Sequence, residues 1–133
     1  MIHDEIVTFE VAKPAKEKGF PQQIGDDAYI VENEYDDKYE VGCHYPIQFI
    51  PDYLPTITAP TQSILQRWLR EEKKIHIEIT ATACGYIWIA DKTNGTAITD
   101  SDVLNRGTNE GGCFDTNELA LEDALKYALE KLL

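Results

Sequence analysis

The side chains in this sequence best suited to chemistry are three cysteines and three histidines, at Cys43, Cys84, Cys113, His3, His44 and His76. Cys43 and His44 are adjacent in what reads as a strand, so their side chains should point to opposite faces and cannot easily form a nucleophile–base pair. His3 or His76 could supply a base instead, but nothing in the sequence places either one near Cys43. A buried structural role is therefore expected for Cys43, because free cysteine is among the most frequently buried residue types.

Metal and cofactor motifs are absent from the sequence. The cysteines are odd in number and far apart, with no C-x-x-C pair and no cysteine–histidine spacing of the zinc-finger type. The acidic pairs Asp26-Asp27 and Asp36-Asp37 lack the alternating acids and central glycine of an EF-hand. We therefore predict no catalytic residue, no metal and no cofactor, and we expect all three cysteines to be reduced thiols in a cytoplasmic protein.

The net charge of −12 limits the classes of partner. A field of that sign repels phosphate backbones, so direct binding to nucleic acid or to an anionic membrane is not expected. Acidic residues are densest in two stretches: residues 26–40 contain seven acids and one base, and residues 91–123 contain eight acids and two bases. These stretches form either a solubilising surface or a surface that attracts a basic partner. The acidic N-terminus with no apolar run behind it argues against a secretory signal, and no window is apolar enough for a membrane span.

Although the sequence contains no catalytic motif, it still predicts the secondary structure. Residues 8–20 predict a first helix, with Thr8 as N-cap and Gly19 in the left-handed position that ends it. Pro14 conflicts with a regular helix interior, so it either kinks this helix or begins its regular part. Residues 28–31 and 39–45 predict a hairpin, and residues 46–60 predict a proline-rich irregular segment whose apolar side chains wrap onto the core.

The second half predicts a helix at about 60–73, a three-strand meander and a final helix at about 117–131. The buried stripe of the first of these helices is expected at Ile64, Leu65, Trp68 and Leu69. The meander is predicted at residues 75–80, 86–92 and 96–100, with Asn94-Gly95 as its second turn. Residues 101–112 predict a mobile loop. The order is α-β-β-α-β-β-β-α, a single α+β domain over 1–133 with a largely antiparallel sheet and about three helices.

The register of the meander determines the predicted site. A first turn centred on Ala83 pairs Ile79 with Ile87 and Ile77 with Ile89, which collects six isoleucines, Ile98 among them, on one face beneath the last helix. The opposite face then carries the four candidate binding residues, His76, Glu78, Tyr86 and Trp88. Two large aromatic side chains on an open sheet face are typical of a binding surface or of a dimer interface. The alternative is that the proline-rich segment or the Trp68 helix covers this face.

Three stretches of the chain resemble a known group of proteins. They are Ile6–Phe20 with its T-F-E-x-A-x-x-A-K-E-K-G-F pattern, Ala59–Glu71 running into Ile75-His76-Ile77, and the Thr116–Glu122 helix start. Together they cover about a third of the chain and are similar to a family of small uncharacterised proteins encoded by phages and integrated mobile elements of gut bacteria. The resemblance implies a genetic context and carries over no functional residue.

These observations favour a non-enzymatic accessory protein that binds another protein. The same observations are also compatible with a homodimer. One alternative is an acidic mimic of DNA that occupies the binding site of a basic host protein. The other alternative is a small hydrolase or nucleotide-binding enzyme that uses Cys43, His44 or His76 beside the 101–112 loop.

Overall fold

A computed structural model describes residues 4–22, 27–31, 42–92, 105–107 and 113–133 of the chain. The chain divides into two compact units, residues 1–61 (the N-terminal unit) and residues 62–133 (the C-terminal unit). Antiparallel strands and three α-helices confirm the predicted α+β class. The single domain over residues 1–133 stays a prediction.

The N-terminal unit contains helix α1 (Phe9–Glu17) and strands β1 (Asp27–Ile30), β2 (His44–Pro46) and β3 (Thr56–Thr58). The strands are antiparallel in the order β2-β1-β3. The β1–β2 pairing confirms the predicted hairpin, although residues 32–41, which include its predicted turn, lie outside the described residues. Strand β3 lies within the segment that was expected to be irregular, between Pro55 and Pro60. The N-terminal unit therefore contains one strand more than the sequence predicts.

Helix α1 ends as its sequence predicts. Gly19 takes the left-handed φ of +98°, and its N–H donates to the Lys16 carbonyl at 3.1 Å. The Phe20 N–H donates to the Ala15 carbonyl at 2.9 Å, and its ring is buried. These two bonds form a Schellman motif, which satisfies carbonyls at the end of the helix. Thr8 is the N-cap residue but its side chain makes no capping bond, and Pro14 lies inside the helix instead of starting it.

The C-terminal unit contains helix α2 (Gln62–Glu72), strands β4 (Ile75–Thr82), β5 (Gly85–Lys92) and β6 (Asn105–Gly107), and helix α3 (Asn117–Tyr127). A π-helical turn, Ala128–Leu132, continues α3. The strands are antiparallel in the order β4-β5-β6. The predicted third strand at 96–100 lies outside the described residues, as does Ile98. Three residues of the predicted mobile loop, Asn105–Gly107, form β6.

Helix α3 covers the β4–β5 sheet, as predicted for the last helix. Thr116 is its N-cap, and the Thr116 hydroxyl accepts a hydrogen bond from the Leu119 N–H at 3.1 Å. The buried residues of α3 are Ala120, Leu121, Ala124 and Leu125, and Ala128 and Leu129 are buried in the turn that continues it. Helix α2 buries Leu65 and Leu69 as predicted, whereas Ile64 is exposed and Trp68 is half-buried. No described helix is long and apolar enough to cross a membrane.

The predicted register of the β4–β5 hairpin is wrong by one residue. The structure pairs Ile79 with Trp88 and Ile77 with Ala90, so the connecting loop is the two-residue pair Ala83-Cys84. A slip of one residue moves every side chain of a strand to the other face. Ile87 and Ile89 therefore lie opposite Thr80 and Glu78, away from the face that Ile75, Ile77 and Trp88 share.

Candidate binding site

The four predicted binding residues do not form one surface. Trp88 and Tyr86 share the sheet face of Ile77 and Ile79, whereas His76 and Glu78 lie on the opposite face and are exposed. Trp88 is only 3% exposed. The recognition patch that the sequence predicted is therefore absent, because the register on which it depended is wrong.

Trp88 is instead a core residue of the C-terminal unit. Its indole Nε1 donates a hydrogen bond to Asp123 Oδ2 at 2.8 Å, and its ring lies 4.9 Å from the Tyr127 ring. Both partners are on helix α3. A buried indole normally has a partner for its N–H, and Asp123 supplies one. Tyr86 is half-buried, and its backbone pairs with Phe114 through two hydrogen bonds of 2.9 and 2.8 Å.

The residues suggested for catalysis lie in different units. Cys43 and His44 belong to the N-terminal unit and His76 to the C-terminal unit. Cys43 is exposed, which corrects the expected buried thiol. His44 Nδ1 lies 2.6 Å from Asp27 Oδ2, and the His44 ring contacts the Tyr29 ring edge-to-face. Among the described residues, no group of three histidine, cysteine or acidic side chains is arranged to hold a metal ion.

Two cysteines are not the reduced thiols that the sequence predicted. Cys84 and Cys113 form a disulfide that joins the β4–β5 turn to the residue before Phe114. Their spacing of 29 residues matches no short cysteine motif, so only the fold brings them together.

Three large exposed apolar side chains lie in the proline-rich segment of the N-terminal unit. Ile47, Phe49 and Tyr53, here called the apolar triad, are 48%, 64% and 68% exposed. The sequence showed that this stretch is apolar but predicted that all of it wraps onto the core. Ile50, Leu54 and Ile57 do so, and the apolar triad does not.

The chain between these residues is held in place by short-range bonds and by packing. The Ile50 N–H donates to the Ile47 carbonyl and the Leu54 N–H to the Pro51 carbonyl, each at 3.1 Å. Ile50 and Leu54 pack with Ala28 and Ile30 of strand β1 in one buried cluster. The buried side chains of Ile50 and Leu54 thus each directly follow an exposed side chain of the apolar triad. Prolines 46, 51 and 55 interrupt any regular period in this segment, so sequence periodicity could not distinguish the buried from the exposed apolar residues.

The charge of the N-terminal unit, which contains the apolar triad, is one-sided. The N-terminal unit contains 12 acidic residues and four Lys or Arg residues, whereas the C-terminal unit contains 12 and eight. Residues 42–61 include Asp52 and no Lys or Arg. The unit that exposes the apolar triad is thus also the more acidic one.

Comparison with known proteins adds no assignment: no protein-family model, curated protein or solved structure matches this chain.

Proposed function

We propose that this chain is a non-enzymatic accessory protein of the cytoplasm that binds a basic protein through the apolar triad of its N-terminal unit. The observation that carries the proposal is the exposure of Ile47, Phe49 and Tyr53 on a segment whose neighbours Ile50 and Leu54 are buried. Large apolar and aromatic side chains on a supported backbone are typical of residues that dominate binding energy. A phage or mobile-element origin, as the sequence resemblance implies, is part of the same proposal.

Packing supports binding by a largely preformed surface. Because Ile50 and Leu54 anchor the segment to β1, the apolar triad does not have to become ordered when a partner arrives. Ordering an interface side chain costs about 0.5–1.5 kcal/mol, so a segment that is already anchored retains more of its contact energy.

Charge indicates the chemistry of the partner. An excess of eight negative charges in the N-terminal unit attracts a surface rich in Lys and Arg and repels a second copy of the same unit. The proposed partner therefore has an apolar pocket rimmed by basic residues, and neither nucleic acid nor membrane is bound directly. The homodimer that the sequence also suited is disfavoured by this like-charge repulsion.

The test replaces Phe49 with serine and uses Leu119→Ser as the matched control, because Leu119 is a large exposed apolar side chain of the C-terminal unit. Immobilised wild type and both variants are exposed to host lysate, and captured proteins are identified by mass spectrometry and then purified. We expect a basic protein that is retained by wild type and Leu119→Ser and lost from Phe49→Ser. Calorimetry with that protein should show weaker binding as salt increases.

The outcomes separate the proposal from its alternatives. A captured protein that Phe49→Ser retains fully, and that duplex DNA displaces, would identify an acidic DNA mimic instead. Stable self-association of wild type in light scattering at low salt, abolished by Phe49→Ser, would show that the apolar triad binds a second copy. Either result would overturn the proposed partner.

A further inference from the structure

The Cys84–Cys113 disulfide lies in a part of the C-terminal unit that is also held by backbone hydrogen bonds. Cys84 belongs to the two-residue turn between β4 and β5, and Cys113 directly precedes Phe114. The Tyr86 N–H donates to the Phe114 carbonyl and the Phe114 N–H to the Tyr86 carbonyl. Both sides of the disulfide are therefore joined by backbone hydrogen bonds as well as by the S–S bond.

Gly85 permits this close approach. Its φ is +148°, and a Cβ atom at this position would overlap the Phe114 carbonyl oxygen and lie 3.0 Å from Cys113 Cβ. No side chain fits there unless the Phe114 backbone moves away. A glycine between the cysteine and the bridged Tyr86 thus keeps the two cysteine backbones together, with Cα atoms 6.0 Å apart.

Thr82 adds a polar group beside both sulfur atoms. Its hydroxyl lies 3.2 Å from Cys113 Sγ and 3.5 Å from Cys84 Sγ, and it donates to the Gly85 carbonyl at 3.1 Å. A disulfide sulfur is a weak acceptor, whereas a thiolate is a strong one. A hydroxyl in this position can turn from the Gly85 carbonyl to a sulfur that has become negatively charged.

From this geometry we infer that Cys84 and Cys113 are a reversible thiol–disulfide pair that exchanges with a dithiol while the protein stays folded. Cys84 is exposed, so it is the sulfur that an attacking thiolate reaches first. The Tyr86–Phe114 bridge holds the two thiols together after reduction, which favours reclosure within the molecule. This inference is independent of the proposed function.

The exchange proceeds in two steps. A thiolate of the dithiol attacks Cys84 Sγ, a mixed disulfide forms, and the Cys84–Cys113 bond breaks with Cys113 leaving as a thiolate beside Thr82. The second thiol of the reagent, deprotonated, then attacks the reagent sulfur that is bonded to Cys84 in the mixed disulfide. The reagent leaves oxidised as a cyclic disulfide, and Cys84 leaves as a thiolate that takes up a proton, so two electrons have passed to the protein.

The test uses the full-length chain with Cys43→Ser, so that only this pair can react. The protein is equilibrated with dithiothreitol at a series of ratios of its reduced to oxidised form, quenched in acid, labelled with a maleimide and analysed by mass spectrometry. Circular dichroism on the same samples reports whether the fold is retained. We expect unlabelled and doubly labelled forms at equilibrium, both with the folded spectrum.

Gly85→Ala is the diagnostic variant, and Gly42→Ala is its matched control. Gly42 also has a positive φ, +92°, but a Cβ there would meet nothing within 4 Å. We expect Gly85→Ala to favour the reduced form by about tenfold relative to Gly42→Ala, because the thiols no longer have the same effective concentration. If the two variants are half reduced at the same ratio of reduced to oxidised dithiothreitol, the proposed role of the Tyr86–Phe114 bridge would be overturned.

Thr82 gives a second and independent readout. Thr82→Ala should slow reduction several-fold, because the leaving Cys113 thiolate loses a hydrogen-bond donor, and Thr82→Ser should restore the rate. These variants also keep the test decisive if Gly85→Ala does not fold. Two results would show a purely structural disulfide and overturn the inference. One is identical reduction rates in the Cys43→Ser protein and in its Thr82→Ala and Thr82→Ser variants, and the other is labelling of the Cys43→Ser protein only in urea concentrations that unfold it.

Discussion

Trp88 shows how one polar contact can decide where a large aromatic residue lies. Its indole N–H reaches Asp123 Oδ2 across the interface between β5 and α3. Leaving a buried donor without a partner costs about 1–3 kcal/mol, which is as much as many core substitutions. The Asp123 contact is thus a reason for Trp88 to face α3. The alternation of isoleucines along the strands does not predict this contact.

Replacing Asp123 with alanine should therefore destabilise the protein by about 1–2 kcal/mol, with the exposed Glu130→Ala as a control that changes the same charge. Urea unfolding of a Trp68→Phe background measures this, since its fluorescence then comes from Trp88 alone. The same background should emit in the blue and resist acrylamide quenching. Emission typical of an indole in water would contradict the buried position of Trp88.

At the level of elements, signals contained within one segment predicted the structure well. The Gly19 helix end and the final helix each depend on residues within about one or two turns, and each is confirmed. The β4–β5 register failed because a non-local contact sets it. The turn residues Ala83-Cys84 have no strong preference of their own. Cys113 is bonded to Cys84 from 29 residues away, and Phe114 pairs with Tyr86 just beyond the turn.

The same reasoning explains the missed site residues. An apolar side chain such as Phe49 is buried only if the core of the folded unit has space for it, and the residue type alone does not predict this. Ile50 and Phe49 are adjacent and similarly apolar, yet the first joins the β1 cluster and the second is exposed. The structure was needed to distinguish them.

Helix α1 provides a prediction about one element. Pro14 has no N–H to donate to the carbonyl four residues earlier, and its ring crowds that carbonyl, at a cost of about 3 kcal/mol in a regular helix interior. Pro14→Ala should therefore stabilise the N-terminal unit, by less than that figure because alanine frees the unfolded chain. Amide hydrogen exchange of α1 in the full chain measures the change.

Pro21→Ala is the matched control for this substitution. Pro21 is exposed and lies just beyond the Schellman end of α1, where a proline suits the chain. Alanine there should be neutral or destabilise by up to about 1 kcal/mol, through the unfolded state alone. If both variants stabilise α1 equally, the helix does not bear a cost from Pro14.

At the scale of the whole molecule, unequal charge predicts that salt acts mainly on one unit. The N-terminal unit has a charge imbalance of −8 and the C-terminal unit of −4, from the residue counts above. Raising the ionic strength from about 10 mM to about 100 mM shortens the Debye length from about 30 Å to about 10 Å and so weakens repulsion among exposed carboxylates. Amide protection should increase in both units, and more in β1 and β3 than in β4 and β5.

A charge-changing variant separates this repulsion from general effects of salt. Glu17→Lys replaces a negative by a positive charge in the N-terminal unit, at an exposed position in the last turn of α1 where a cation is also favoured. It should raise protection of that unit at low salt and reduce its response to salt, while Glu130→Lys should not change protection of β1. If salt protects β4 and β5 as strongly as β1 and β3, self-repulsion in the N-terminal unit is not the cause. The acidic surface would then have to be explained by what it binds, because it would not cost that unit measurable stability.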